Sequence, residues 1–231
     1  MTSAGASAGT LETPAAGRRS YQWLDVLLPP ATALAVLGVA LLLLLTPIWV
    51  HAALDLAGGG VPGGDRIAAH AISDRTVSDL LSGGGFAILL PNGEPMYTAD
   101  EASHLRDVRV VLYGFLLLAG VALALLVGAF MRGSRDARTW RALARGGALL
   151  VVAVIVLGLV GALAFGVAFE LFHRLLFPGG NWAFPIDSNL IRLYPFAFWQ
   201  LSAAAMGVLA AVGGAAAWWM GRRRAARLGQ R

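Results

Sequence analysis

The chain has 231 residues, of which 58% are hydrophobic and 13% charged, with a mean hydropathy of +0.69. Soluble domains carry about 25% charged residues, so this composition excludes an ordinary soluble enzyme and points to an integral membrane protein. All 18 basic residues are arginine and there is no cysteine, which removes amine nucleophiles, disulfides, thiolate metal sites and thioester acyl-enzymes. The formal charge of +5 does not call for nucleic acid, because the arginines cluster beside the apolar runs, where they act as topology signals and contacts for membrane lipid.

In chain order, residues 1–23 begin with an Ala/Gly/Ser/Thr-rich stretch through Gly17 and read as a disordered cytoplasmic tail. Arg18 and Arg19 precede an apolar run long enough to span a bilayer, so the N-terminus is not read as a signal peptide. The first span is expected from Ala31 to Val50, with Pro29 and Pro30 in its first turn and Trp23 and Trp49 as interfacial anchors. A first outer loop, 51–107, is too long to be a bare connection. After the flexible segment Gly58–Gly64, residues Asp65–Ser82 place Ile67, Ala71, Ile72 and Leu80 at near-helical spacing, which predicts an amphipathic helix resting its apolar face on the bundle or the bilayer. Gly83-Gly84-Gly85 reads as a hinge, since it lacks the strand and helix of a phosphate loop. Phe86–Leu90, a Pro91–Glu94 turn and Pro95–Thr98 read as a short hairpin. Thr98 and Glu101 form a capping box that opens a helix running into the second span, 108–131. The third span is 147–169. A short aromatic outer loop, 170–196, follows, then the fourth span, 197–220, and a basic cytoplasmic tail, 221–231. No internal repeat appears.

The expected architecture is therefore all-α: four transmembrane helices within a membrane domain, 24–220, with a small extracytoplasmic loop domain of one amphipathic helix and one hairpin. Arginine counting sets the orientation. Arg132, Arg135, Arg138, Arg141 and Arg145 between spans two and three, and Arg222, Arg223, Arg224, Arg227 and Arg231 after span four, belong inside with both termini. Most of the acids and all four histidines fall outside.

Two histidines stand where apolar runs meet charge, and ionisable groups at such places are functional candidates. His104 shares a helix face with Asp107, three residues on, and with Asp100, four residues back. Glu170 and His173 repeat the three-residue spacing at the end of span three. A carboxylate so placed can hold an imidazole's tautomer and raise its basicity; the plainer reading is a set of interfacial charges reaching for water. His51 and His70 are weaker candidates, and with no HExxH or other close ligand pair no metal is assigned. There is no G-x-S-x-G elbow. Trp182, Phe184, Tyr194, Phe196, Phe198 and Trp199 give the second outer loop the character of a membrane-interface belt, suited to a substrate that is itself half lipid.

Two blocks carry a resemblance. Glu101-Ala102-Ser103-His104-Leu105-Arg106-Asp107-Val108-Arg109 and Phe172-His173-Arg174-Leu175-Leu176-Phe177-Pro178-Gly179-Gly180-Asn181-Trp182-Ala183-Phe184, the latter followed by Asp187–Pro195, resemble the lipoprotein intramolecular transacylase (Lit) family of bacterial integral membrane proteins. The chain departs from the family pattern in having Leu176 where an aromatic is common and in an unusually glycine-rich outer loop. The resemblance implies acyl transfer from the diacylglyceryl group of a lipoprotein to the α-amino group of its N-terminal cysteine, giving the lyso form, with His104 and His173 as the essential residues. It implies a diacylated lipoprotein as substrate, no cofactor and no obligate protein partner.

That chemistry needs a base for the ammonium, donors for a tetrahedral oxyanion and an acid for the leaving glycerol oxygen. His173 oriented by Glu170 suits the base and His104 with Asp107 the acid, or the roles are exchanged; Arg174, Arg192 and Asn181 are candidate oxyanion donors and Trp182 a substrate contact. A covalent acyl-imidazole stays open. So do two other classes: a non-catalytic lipid-binding or assembly protein, in which the histidines are dispensable, and a metal-dependent membrane hydrolase.

Overall fold

Seven helices make up the computed structural model, which describes residues 22–230. The tail expected at 1–23, with Arg18 and Arg19, lies almost entirely outside these residues, as does Arg231. Helices α1 (Gln22–Leu44), α4 (Ala99–Gly133), α5 (Ala137–Leu176) and α7 (Phe196–Leu228) are each long and apolar enough to cross a membrane. The chain is an all-α integral membrane protein with four such helices, as the composition requires.

The first span differs from expectation. Helix α1 runs straight through Pro29 and Pro30 and ends at Leu44; it is followed by a separate helix, α2 (Pro47–Ala57). The break has a local cause: a residue before proline is pushed out of the helical region, and Thr46 is extended (φ −72°, ψ 146°) with Pro47 opening the next helix. Val50, expected at the end of the span, is therefore buried in α2, and Trp49 donates its indole N–H to Ser202 of α7 at 3.3 Å. Helix α7 in turn carries Arg222, Arg223, Arg224 and Arg227 within its last turns, where a tail beginning at 221 was expected. Three arginines there lie over tryptophan rings: Arg222 over Trp218, Arg223 over Trp219 and Arg224 over Trp140.

Helix α1 packs against α4, α5 and α7, while the most extensive contact is between α5 and α7. Small residues permit that closeness. A Cβ on Gly147 would sit 2.6 Å from the backbone nitrogen of Trp218, and one on Gly214 would sit 2.9 Å from the carbonyl oxygen of Gly147. Helices α4 and α5 meet far less; they diverge from their short Arg-rich turn, with α1 between them.

At the opposite end, the first outer loop is packed, not draped. Helix α3 (Arg66–Ser82) forms as predicted, with Asp65 capping it through the Ala68 N–H at 2.9 Å. Its buried face, however, is Ala69, Ile72, Ser73, Thr76 and Asp79; Ile67 is 74% exposed and Ala71 is exposed. Apolar spacing gave half of the face: Ile72 is buried and Leu80 packs against the same core, while Ile67 and Ala71 turn outward and the remaining inward positions are hydroxyls and a carboxylate with specific partners. Ser73 and Tyr194 share a hydrogen bond at 2.9 Å, Thr76 and Tyr97 another at 2.7 Å. Burial pushes the Tyr194 phenol up to about 12 and Tyr97 well above its ordinary value, so both rings keep their protons. Asp79 accepts the N–H of Phe86 at 2.8 Å, holding that buried residue at φ 59°, and leaves room for only a glycine at 84.

The expected hairpin is reduced to a single antiparallel bridge, Leu89 with Pro95. Proline at 95 has no N–H to extend the ladder, and Ile88, Leu90 and Met96 instead turn into a core shared with Val50, Leu54, Leu105, Leu190 and Leu193. The second outer loop contributes to the same core through a short helix, α6 (Asn189–Leu193).

A branched side chain at the α5–α7 crossing would have to push the helices apart. Gly147→Val should lower the detergent-solubilised protein's stability by about 1–3 kcal/mol, the usual range for overpacking, seen as a reduced thermal unfolding midpoint.

Candidate active site

His104 lies one turn into α4, and the capping box places it. Thr98 Oγ1 accepts the Glu101 N–H at 3.2 Å, while Glu101 Oε2 accepts the Thr98 N–H at 2.8 Å. The other oxygen, Oε1, accepts the N–H of Leu190 at 3.0 Å. A side chain that is 1% exposed thus joins the start of α4 to the start of α6, and Asn189 adds a second tie by donating to the Met96 carbonyl at 3.0 Å. Glu101 was a supporting candidate by sequence; its role in the structure is architectural.

His173 sits in the last turn of α5, beyond a kink at Ala164 (φ −148°, ψ 46°). Its Nδ1 lies 2.8 Å from the carbonyl oxygen of Phe169. A carbonyl only accepts, so the Nδ1 proton is engaged there and Nε2 is left with the lone pair.

The two imidazoles come together. Their ring centres are 6.2 Å apart, with 29° between the planes. Aromatic rings enclose them: Phe177 packs on both, at 4.9 Å from His104 and 5.7 Å from His173, Phe184 lies 5.7 Å from His104, and Phe169 and Trp182 lie 4.2 and 5.1 Å from His173. His104 is 7% exposed and its Nδ1 has no hydrogen-bond partner. His173 is half-buried beside Leu171, Phe172 and Leu175, which are exposed.

The supporting residues are arranged differently from the spacing argument. Glu170 does not reach His173; it pairs with Arg174 one turn on, at 2.7 and 2.9 Å. The Phe169 carbonyl takes its place as orienter, since a side chain four residues along a helix can fold back on a main-chain oxygen while Glu170 points to solvent and the nearer guanidinium. Asp107 makes no hydrogen bond to His104. Its Oδ2 accepts the amide of Asn181 at 2.6 Å, across 74 positions of sequence. Asn181 and Trp182 are thus at the histidine pair. Arg192 is exposed and lines a separate cavity of about 540 Å³ with Ile186, Ile191 and Phe196, the last of which also contacts Phe169.

Sequence reasoning passed over two features. Phe169, His173 and Phe177 recur at four-residue steps, a signal that they share a face. His51 and His70 stack in parallel at 4.1 Å, and their Nε2 atoms lie 2.8 Å from Asp74 and Asp55 respectively; no local spacing foretells a pair on two different helices. Among the described residues no group of three or more His, Asp or Glu side chains is placed to hold a metal ion.

The family model described as lipoprotein intramolecular transacylase Lit matches residues 92–199. An uncharacterized protein of Aquifex aeolicus (strain VF5) is 31% identical over 111 residues, 48% of this chain and 49% of that protein; the chain therefore matches about half the length of this relative. The fold is that of the membrane integral lipoprotein intramolecular transacylase Lit from Bacillus cereus, with a TM-score of 0.77 and 18% identity over 91% of this chain and 98% of the other. Two further structures of that protein, each with one histidine substituted, give TM-scores of 0.70 and 0.71.

The matched segment runs from the outer turn through both histidines, the parts that Glu101 joins. Glu101→Ala would orphan the buried N–H of Leu190, at about 1–3 kcal/mol, and free the part-buried N–H of Thr98. The expected result is a lower unfolding midpoint together with faster hydrogen exchange at the Leu190 amide.

Proposed function

We propose that the chain, whose residues 92–199 match the lipoprotein intramolecular transacylase family model, belongs to that family and is an acyltransferase moving a fatty acyl chain within a diacylated lipoprotein. The chain leaves the diacylglyceryl group and ends on the α-amino group of the N-terminal cysteine, so the product is the lyso form. The observation that carries this reading is the pair of imidazoles, one with its tautomer fixed, 6.2 Å apart among aromatic rings at the edge of the apolar bundle.

The free Nε2 of His173 suits the base. It takes the proton that the ammonium must lose; the nitrogen lone pair then forms the C–N bond to the ester carbonyl carbon. As the tetrahedral intermediate collapses, the C–O bond to glycerol breaks and the second nitrogen proton passes to the glycerol oxygen, a delivery that we assign to His104. Asn181, beside Asp107, is better placed than Arg192 to donate to the oxyanion. Because ester and amine belong to one molecule, orientation can supply up to ~7–11 kcal/mol of the barrier, so a site with few polar groups suffices.

The arginine-rich ends of α4, α5 and α7 support a cytoplasmic placement for that end and for both termini, in a bacterial cytoplasmic membrane. The histidines then face the extracytoplasmic side, where a lipoprotein's lipid anchor lies. Membrane lipid is the surrounding partner; neither nucleic acid nor a cofactor enters the reading.

The test is His104→Gln and His173→Gln, singly, in a bacterial strain lacking other N-acylating activity, with lipoprotein N-termini read by mass spectrometry. Loss of a general acid or base typically costs 10²–10⁴-fold, so lyso-form product should fall by about that factor in each. Undiminished product from both variants rejects the assignment and favours a non-catalytic lipid-binding role.

A further inference from the structure

An N-acylation site must hold a cationic amine next to a base, and that cation needs a counter-charge. Four acids lie near the two histidines in sequence, and two are engaged elsewhere. Glu101 has both oxygens engaged by the Thr98 and Leu190 amides and is buried. Glu170 is paired with Arg174. Asp100 is exposed in the first turn of α4 and, among the described residues, has no bond to the second outer loop. Of these last two acids, only Asp107 is tied to that loop. It shares the His104 face of α4 by its three-residue spacing, and Asn181 fixes its Oδ2 at 2.6 Å while Oδ1 has no partner among the described residues. Asn181 is followed directly by Trp182, whose ring lies 5.1 Å from that of His173.

We infer that Asp107, held by Asn181, is the seat for the substrate's α-ammonium, placing the acceptor nitrogen between its carboxylate and the two imidazoles. The inference rests on the proposed transacylase reading and gives Asp107 a different task from orienting His104. A carboxylate with one oxygen fixed by an amide and one free matches an ammonium that still carries two protons to spare for other acceptors. The rings of Trp182, Phe177 and Phe184 present faces that tolerate a cation and exclude the water that would compete for the ester. Specificity follows: a lipoprotein whose amine is already acylated has no charge to bring, so the product is released in preference to substrate.

The experiment uses full-length protein in lipid nanodiscs carrying His173→Gln, so that no turnover obscures binding. Two probes are compared: a diacylglyceryl-cysteine lipopeptide with a free α-amine and its N-acetylated counterpart. The free-amine probe should bind the tighter, and Asp107→Asn should remove that preference, roughly ten- to a hundredfold, the scale of a lost charged hydrogen bond. Asp107→Glu should retain part of it, and Asn181→Ala should lower it. With His173 present, Asp107→Asn should raise KM more than it lowers kcat and divert acyl groups to water, giving free fatty acid and a deacylated lipopeptide with its amine free. If the amine preference survives Asp107→Asn, the inference is overturned; if instead kcat falls with KM unchanged, Asp107 orients the imidazole. Amine preference dependent on Asp107 in a protein whose wild type forms no N-acylated product would uphold the seat and overturn the transacylase reading.

Discussion

The buried Glu101 carboxylate is the constraint on which the outer half of the molecule depends. Its burial would be costly if either oxygen were left bare. Instead each accepts a main-chain N–H, one at the N-terminus of α4 and one at the start of α6, where the exposed amide dipoles favour a negative charge. The two bonds belong to segments 89 positions apart. Breaking either strands a polar group inside the core of Met96, Leu105 and Leu193, so the loop carrying Asn181 and Trp182 keeps a fixed relation to the helix carrying His104.

The membrane-spanning half works by a different physics. Lipid tails give no hydrophobic reward for bringing helices together, so close packing of small residues has to do it. It does so where α5 crosses α7 at Gly147 and Gly214, and where α1 meets α5 at Gly146. Helices α4 and α5 lack such a crossing and stay apart along most of their length. Their outer ends return to each other only through the aromatic rings about the histidines and the Asp107–Asn181 bond. The site thus lies where two otherwise separated helices converge, beside apolar surface at Leu171, Phe172 and Leu175.

Much of this was legible in the sequence because it depends on signals of short range or of sheer length. Four apolar runs are long enough to require four membrane helices, and Thr98 with Glu101 is a cap readable at three-residue spacing. The convergence of His104 and His173 was legible only as a consequence of topology: both end apolar runs on the same side. What escaped was long-range pairing. Glu170 looked like the partner of His173 at three residues, but Arg174 at four residues offered it a charge, and the Phe169 carbonyl was invisible to any side-chain count. Helix α3 was legible as a helix and only half legible as to its face: Ile72 and Leu80 do pack inward, but Ser73, Thr76 and Asp79 read as solvent-facing until Tyr194, Tyr97 and the Phe86 amide supply their partners. The end of the first span was misplaced for lack of weight on Thr46-Pro47, a boundary that proline geometry alone could have given.

An intramolecular acyl transfer, the activity proposed above, asks less of a protein than a reaction between two substrates, and a site with few polar groups suits it. Ester and amine arrive already tethered, so entropy is met in large part by the substrate. What the protein must add is a base with a defined tautomer, a second proton carrier within reach and a surface that admits lipid while holding water back. In the proposed reading these tasks fall to His173, anchored by the Phe169 carbonyl, to His104, fixed by a cap one turn away, and to the rings of Phe177, Phe184 and Trp182. Rigidity then matters more at the outer core than at the histidines themselves. A shift of α4 against the second outer loop would separate His104 and Asp107 from Asn181 together, and the most deeply buried carboxylate among the described residues lies at that junction and not beside the histidines.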